Sequence, residues 1–291
     1  MFNKLLEKLK EVSKLDFQTA CLELEKYINN ISNFTEILAQ IGTIPEKIEY
    51  DSSEEKLFSK ISDMVLARAF REIGLKATVL EARGDSADIQ AKSIIHGYTL
   101  VADAKVFRMS RTAKNQKDFK VTALSGWRKD NDFAILCSPY FQYPKTKSQI
   151  YAQALNNNVC LFSWEHLIFL IENKVKENAD INFKNIWNSS AEYAKICVVA
   201  ENKNCFIDKI TNEVEKIIAS HKNFTPNFND ILTSQIKVLS CRGEKEKNFW
   251  INEEKIIKSY SLEKAISELI KTKKINEKIF QIDKYIKGLK I

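Results

Sequence analysis

Glycine and proline are scarce in this chain, seven and four among 291 residues. So few turn formers argue against a β-sandwich of short, tightly turned strands and favour a helix-rich fold. No glycine-rich phosphate loop is present. The six cysteines (Cys21, Cys137, Cys160, Cys197, Cys205, Cys241) are scattered, with no CxxC and no histidine at ligand spacing. They read as reduced thiols of a cytoplasmic protein, several of them in the core, and not as disulfides or a zinc site. Histidine is rarer still. His96, His166 and His221 are isolated, so no Ser-His-Asp arrangement is visible. No apolar run approaches the ~20 residues of a membrane span. The N-terminus mixes charges where a signal peptide would be apolar.

What is present is charge, and it is unevenly placed. The formal net charge is +7. From Lys105 to Lys129 there are eight basic residues and a single acid, Asp118, so this segment alone carries the whole excess. Five of the basic residues, Arg108, Arg111, Lys114, Lys117 and Lys120, recur at every third position. Such a stripe can follow a phosphate backbone, which rewards lysine and arginine by counterion release. A solvated charged face usually mixes signs; this one does not.

The stripe begins at Leu100-Val101-Ala102-Asp103-Ala104-Lys105, an apolar run ending in an acid, a small residue and a lysine. On an extended strand the side-chain period is two, so Asp103 and Lys105 leave the same face. A second acid, Asp88, lies in another strand-like run, and a hairpin turn near His96-Gly97 would bring the two carboxylates together. Two carboxylates and a lysine are a minimal set for Mg²⁺-dependent phosphodiester hydrolysis. Spacing alone does not prove it. Acid-x-lysine recurs at Glu54-Lys56, Glu172-Lys174, Glu201-Lys203 and Glu253-Lys255, and an ion pair at a solvated strand edge fits Asp103-Lys105 equally well. Only this pair follows a continuous apolar strand with a strand-borne acid upstream.

The pattern predicts an α/β (α+β) fold: a central mixed sheet of about five strands flanked by helices, with helical N- and C-terminal regions. Strands are expected at 78–82, 87–93, 98–106, 133–137 and 159–162. Helices are expected across 1–42 and over 51–73, 116–129, 148–155, 164–172, 261–269 and 275–286. The 51–73 helix opens on Ser52 and Glu55 at capping-box spacing, buries Phe58, Ile61, Val65, Ala69 and Ile73, and closes at Gly74. One domain is expected, with a helical region over 1–50, a catalytic core over 51–175 and a mostly helical region over 176–291.

The run from Leu100 to Lys120 (LVADAKVFRMSRTAKNQKDFK) resembles the corresponding segment of the HindIII family of type II restriction endonucleases. So do Glu55–Lys60 (EKLFSK), Tyr140–Pro144 (YFQYP), Thr146–Gln149 (TKSQ) and Leu161–Leu167 (LFSWEHL). The resemblance is dense over about 40–170 and places the chain among the PD-(D/E)xK nucleases. It departs from that motif in one place: Ala87, not proline, precedes Asp88. The resemblance implies Mg²⁺ held by Asp88, Asp103 and the Ala104 carbonyl, with Lys105 acting on the attacking water. It picks out Glu55 as an auxiliary acid, although helical phase puts Glu54 nearer the apolar stripe. Asp118 or Glu55 would serve any second metal. It further implies double-stranded DNA as substrate, the palindrome AAGCTT cut after the first A, a homodimer, and a companion methyltransferase in the same cell. Asn115 and Lys117 suit the major-groove edges of adenine and guanine. Tyr140, Phe141 and Tyr143 form either a packed loop or a wall beside the DNA. Two other readings remain open: a repair or junction-resolving nuclease of the same superfamily, and a DNA-binding module whose Asp103-Lys105 pair is only structural.

Overall fold

The computed structural model describes residues 1–80, 86–111, 116–145, 148–195, 203–222 and 226–288. Within these, the chain divides into two compact units, Met1–Gly243 and Glu244–Ile291.

The first unit opens with α1 (Phe2–Val12), α2 (Phe17–Asn29), α3 (Phe34–Ile41) and α4 (Ser53–Glu72). The expected caps of α4 are there. Ser52 Oγ accepts from the Glu55 amide at 3.1 Å, and the Glu55 carboxylate accepts from the Asp51 amide at 2.7 Å. At the other end, the Gly74 and Leu75 amides donate to the Arg71 and Phe70 carbonyls, a Schellman closure. Gly74 takes φ +98°, and a Cβ there would meet the Glu177 backbone nitrogen at 2.9 Å. The predicted stripe Phe58, Ile61, Val65, Ala69 and Ile73 is buried, but so are Leu57, Met64, Leu66, Ala67 and Phe70. Helix α4 is covered on more than one side, by α1, α2 and α3 and by the sheet.

Five strands follow: β1 (Lys76–Val79), β2 (Ile89–Lys92), β3 (Thr99–Ala104), β4 (Phe133–Ser138) and β5 (Val159–Ser163). They lie side by side in chain order. The β1–β2 and β2–β3 pairs are antiparallel, and β3–β4 and β4–β5 are parallel, so the sheet is mixed. Gly97, at φ +76°, sits in the β2–β3 turn, which the Ser93 amide closes by donating to the Tyr98 carbonyl.

Side chains of the central strands alternate between two buried layers. Leu100, Ala102, Ile135, Cys137, Cys160 and Phe162 join the layer that contains α4. Val101, Ala134, Leu136, Val159 and Leu161 join a second layer with Phe107, Phe119, Tyr143 and Tyr151. Burial on both faces is what parallel strands require, and it explains their nearly unbroken apolar sequences.

The β3–β4 crossover differs from the single helix expected over 116–129. It forms α5 (Gln116–Phe119) and α6 (Val121–Trp127), separated by Lys120 in a left-handed conformation at φ 50°. The break lets Phe119 and Val121 both turn inward, which a continuous helix cannot do for residues two apart. Phe119, Val121 and Leu124 are buried, whereas Ala123 and Trp127 are only half-buried.

Helices α7 (Gln149–Asn157) and α8 (Trp164–Glu172) flank β5 in sequence; α9 (Lys184–Trp187), α10 (Ser189–Ala194) and α11 (Lys203–Lys222) complete the packing. Tyr143 is buried, stacks on Phe119 and donates to the Leu136 and Phe162 carbonyls, so this part of the aromatic loop is core. His166 lies between Ser163 and Thr211 and stacks on Phe228, and His96 bonds the Asn178 and Ile181 carbonyls. Cys137 and Cys160 are free and fully buried. Helix α12 (Phe228–Lys258) runs into the second unit, which is completed by α13 (Leu262–Thr272) and α14 (Ile275–Gly288). Among the described residues no helix is long and apolar enough to cross a membrane.

Candidate active site

The β2–β3 register decides which acids meet. Ile89 pairs with Ala102 and Gln90 with Val101. One step toward the open end of the hairpin, the same register sets Asp88 opposite Asp103, close enough for the Asp88 charge to act on the Asp103 carboxyl. Cross-strand partners in an antiparallel pair share a face, so the two acids project together.

Strand β3 continues its parallel pairing one residue past Ala104, the Lys105 amide donating to the Cys137 carbonyl at 2.7 Å. This keeps Lys105 in strand phase with Asp103, and Lys105 Nζ donates to Asp103 Oδ2 at 2.6 Å. Trp164 Nε1 donates to the Lys105 carbonyl at 3.3 Å and fixes the strand end from behind. The pair is well shielded: the Asp103 side chain is 3% exposed and that of Lys105 14%.

Burial raises the Asp103 carboxyl pKa to about 6; Lys105 opposes the shift and the Asp88 charge reinforces it. An acid this deep, beside a second acid, is an electrostatic liability unless a cation compensates it. Lysine supplies part of that charge.

The acid of α4 that reaches this cluster is Asp63, which the sequence reading does not single out. Its carboxyl is buried and its pKa is raised well above the usual range, first by burial and then by Asp88, with Asp103 adding to the shift. Lys60 sits 3.6 Å from Asp63 Oδ2 and donates to the Leu80 carbonyl. Within Ser62-Asp63-Met64-Val65-Leu66-Ala67, all buried, Asp63 is the one charged residue. That isolation in an apolar run was the available signal.

Glu55 is occupied elsewhere. Beyond its capping bond, it accepts from Arg108 Nη2 at 2.6 Å and Nε at 3.2 Å. Glu54 faces Ser13, near the end of α1. The expectation that Arg108 faces a phosphate meets the same contact. Its Nη1 donates to the Pro45 and Glu46 carbonyls, so the guanidinium staples the segment after β3 to the entry of α4. Asp118 pairs with Arg111, whose guanidinium also lies over the Phe107 ring. Lys117 and Lys120 are exposed. Lys114 and Asn115 lie outside the described residues.

Among the described residues, no group of three or more His, Cys, Asp or Glu is arranged to hold a metal ion. The pair Asp88 and Asp103 nevertheless suits a hard divalent cation: Mg²⁺ takes one or two carboxylates and completes its shell with water and substrate phosphate.

The model of the HindIII restriction endonuclease family matches residues 3–286. The chain is 41% identical, over 99% of its length and 95% of the relative's, to the type II restriction enzyme HindIII of Haemophilus influenzae. A match of that identity, running almost from end to end and including the strands that carry Asp88, Asp103 and Lys105, means that the chain belongs to the HindIII restriction endonuclease family.

Proposed function

We propose that this type II restriction endonuclease, a site-specific deoxyribonuclease, makes Mg²⁺-dependent double-strand cuts at Asp88, Asp103 and Lys105. The observation that carries the assignment is the facing of Asp88 and Asp103 across β2–β3, with Lys105 2.6 Å from Asp103. Asp88 and Asp103, with the Ala104 carbonyl, hold the cation. The bound metal supplies Lewis acidity toward the scissile phosphate and its attacking water.

Lys105 orients the attacking water in line with the phosphorus and stabilises charge that develops on the phosphoryl oxygens. Asp103 holds the Lys105 ammonium at the strand end, and Trp164 pins the backbone that carries it. The products are a 5′-phosphate and a 3′-hydroxyl. Exposed Lys117 and Lys120 lie on the stripe that follows the phosphate backbone, with Lys114 and Arg111 on the same periodicity, while Asn115 and Lys117 read base edges. Glu55 acts at a distance, through Arg108, on the segment after Lys105, and Asp118 is likewise engaged by an arginine, Arg111.

The recognition sequence that goes with the resemblance is A/AGCTT, leaving four-base 5′ overhangs. A palindrome calls for a two-fold homodimer with one active site per strand. The enzyme acts in the cytoplasm, beside a methyltransferase that protects the host's own sites.

The test is a plasmid digest with purified protein and Mg²⁺, run beside an EDTA lane and followed by sequencing of the cut ends. Discrete ends at AAGCTT are expected, with no cutting in EDTA and none by Asp88→Asn or Asp103→Asn. Discrete ends at another palindrome would overturn the recognition sequence and keep the active site. Full cutting by either variant would remove that residue from the mechanism.

A further inference from the structure

The chain that leaves the active-site strand is gripped by the segment that follows α3. Phe107 forms an isolated parallel bridge with Thr43: its amide donates to the Gly42 carbonyl at 3.1 Å, and its carbonyl accepts from the Ile44 amide at 3.2 Å. Arg108 Nη1 then donates to the Pro45 and Glu46 carbonyls. The Glu46 carboxylate takes both donors of Ser110. Oε1 accepts from the backbone amide at 3.0 Å and Oε2 from the hydroxyl at 2.9 Å. Glu46 is only 5% exposed, although Ser110 lies at the surface.

A carboxylate that accepts from a backbone N–H makes a strong bond and fixes the main chain itself. Burial strengthens that bond and makes its loss costly. Ser110 stands in a turn that the Arg111 amide closes on the Arg108 carbonyl at 3.3 Å. Holding Ser110 therefore sets the direction in which the chain goes on toward Asn115 and Lys117. The same support holds Lys105. Gly42 caps α3, and α3 packs on α8. A Cβ at Gly42 would meet Pro139 Cγ at 2.6 Å and Trp164 Cδ1 at 3.1 Å. Trp164 is the residue whose indole binds the Lys105 carbonyl. One close-packed block thus supports Lys105 and grips residues 107–110, and such interiors transmit strain without yielding.

We infer that Glu46 is a positioning residue that couples base reading to cleavage. By holding Ser110, it keeps the base-reading segment at a fixed distance from Lys105, so that Lys105 reaches the scissile phosphate only when the cognate bases are engaged. The inference rests on the proposed cleavage site and on Asn115 and Lys117 as base readers.

The experiment compares wild type with Glu46→Ala, Glu46→Gln and Ser110→Ala, after thermal unfolding has shown each to be folded. Ser110 is exposed, so Ser110→Ala keeps the test open if Glu46→Ala does not fold. One readout is single-turnover cleavage of a duplex carrying the site found in the plasmid digest, against duplexes altered at one base pair. The other is hydrogen exchange over residues 106–111. For Glu46→Ala, cleavage of the site is expected to fall about a hundredfold, as for a reacting group misplaced by about 1 Å, and preference over the altered duplexes about tenfold. Exchange over 106–111 becomes faster. In Glu46→Gln the amide oxygen can accept from the Ser110 amide and the NH₂ can donate to its hydroxyl, so most of both losses are restored. Ser110→Ala keeps the backbone bond and falls between. Equal losses on every duplex, with preference intact, would leave Glu46 merely structural and overturn the inference, as would unchanged exchange in Glu46→Ala. A wild type that yields no discrete ends defeats the cleavage reading and takes the inference with it. A wild type that cuts discretely, beside variants that keep its preference, defeats the inference alone.

Discussion

Replacing Asp103 with asparagine tests the electrostatic account of the site, because activity and stability should move in opposite directions. In the native chain the Asp103 carboxyl is raised from 3.8 to about 6, chiefly by burial. The sign follows from linkage. An acid whose native pKa is raised binds its proton more tightly folded than unfolded, so its burden on stability is absent below about pH 4 and grows as pH rises through about 6. A shift of roughly 2 units is worth about 3 kcal/mol once both states are ionised. Asparagine has the shape of the protonated acid and never ionises. Urea unfolding in EDTA should therefore find Asp103→Asn close to wild type at pH 4, and about 3 kcal/mol more stable at pH 7.5. Plasmid cutting in Mg²⁺ should fall by at least a thousandfold. Added Mg²⁺ should stabilise the wild type and leave the variant unmoved, since only the wild type retains the carboxylate pair. A stability difference that does not change with pH, or a variant weaker than wild type at pH 7.5, would refute the claim that Asp103 is charged against its surroundings.

Other perturbations separate roles that the sequence leaves merged. Lys105→Ala leaves Asp103 without its ammonium partner, so it should cost about 1–3 kcal/mol at neutral pH and abolish cleavage; DNA affinity, measured by fluorescence anisotropy in Ca²⁺, should change only a few-fold. Arg108→Ala should cost about 2 kcal/mol by releasing the Glu55 pair and two carbonyls, with the salt dependence of DNA binding unaltered. Lys117→Ala should do the reverse, sparing thermal stability while lowering the slope of log affinity against log salt by about 1. If Arg108→Ala flattened that slope, the guanidinium would be on phosphate after all. Gly74→Ala forces a side chain into φ +98° and against the Glu177 backbone, and should cost about 1–3 kcal/mol in thermal unfolding with no change in DNA affinity.

Much of the site's framework is local and could be read directly. The apolar run before Asp103 gives a strand, and a period of two puts Lys105 beside it. Ser52 and Gly74 mark the ends of α4 because capping depends on residues within one turn. The hairpin at Gly97 depends on a short connection, and closing it brings Asp88 to Asp103. The pairings that are not legible share another cause. Glu55 and Arg108 each looked available from their own neighbourhoods, one as a site acid and the other as a phosphate ligand. They are 53 positions apart, and nothing in either neighbourhood announces that they neutralise each other. Core demand on both Phe119 and Val121 likewise breaks the helix expected over 116–129 at Lys120.

Asp63 shows where the division falls. The sequence by itself determined that residues 53–72 form a helix, that β3 ends in an acid and a lysine on one face, and that positive charge gathers just beyond it, because each depends on spacing within a few residues. Only the tertiary structure decided that α4 would be enclosed on several sides, carrying Asp63 to the Asp88–Asp103 pair while Glu55 turned to Arg108. Helical periodicity fixes the angle at which a side chain leaves its helix. Which neighbour occupies that angle depends on how distant segments pack, and that settles whether a carboxylate meets water, an arginine or two other carboxylates.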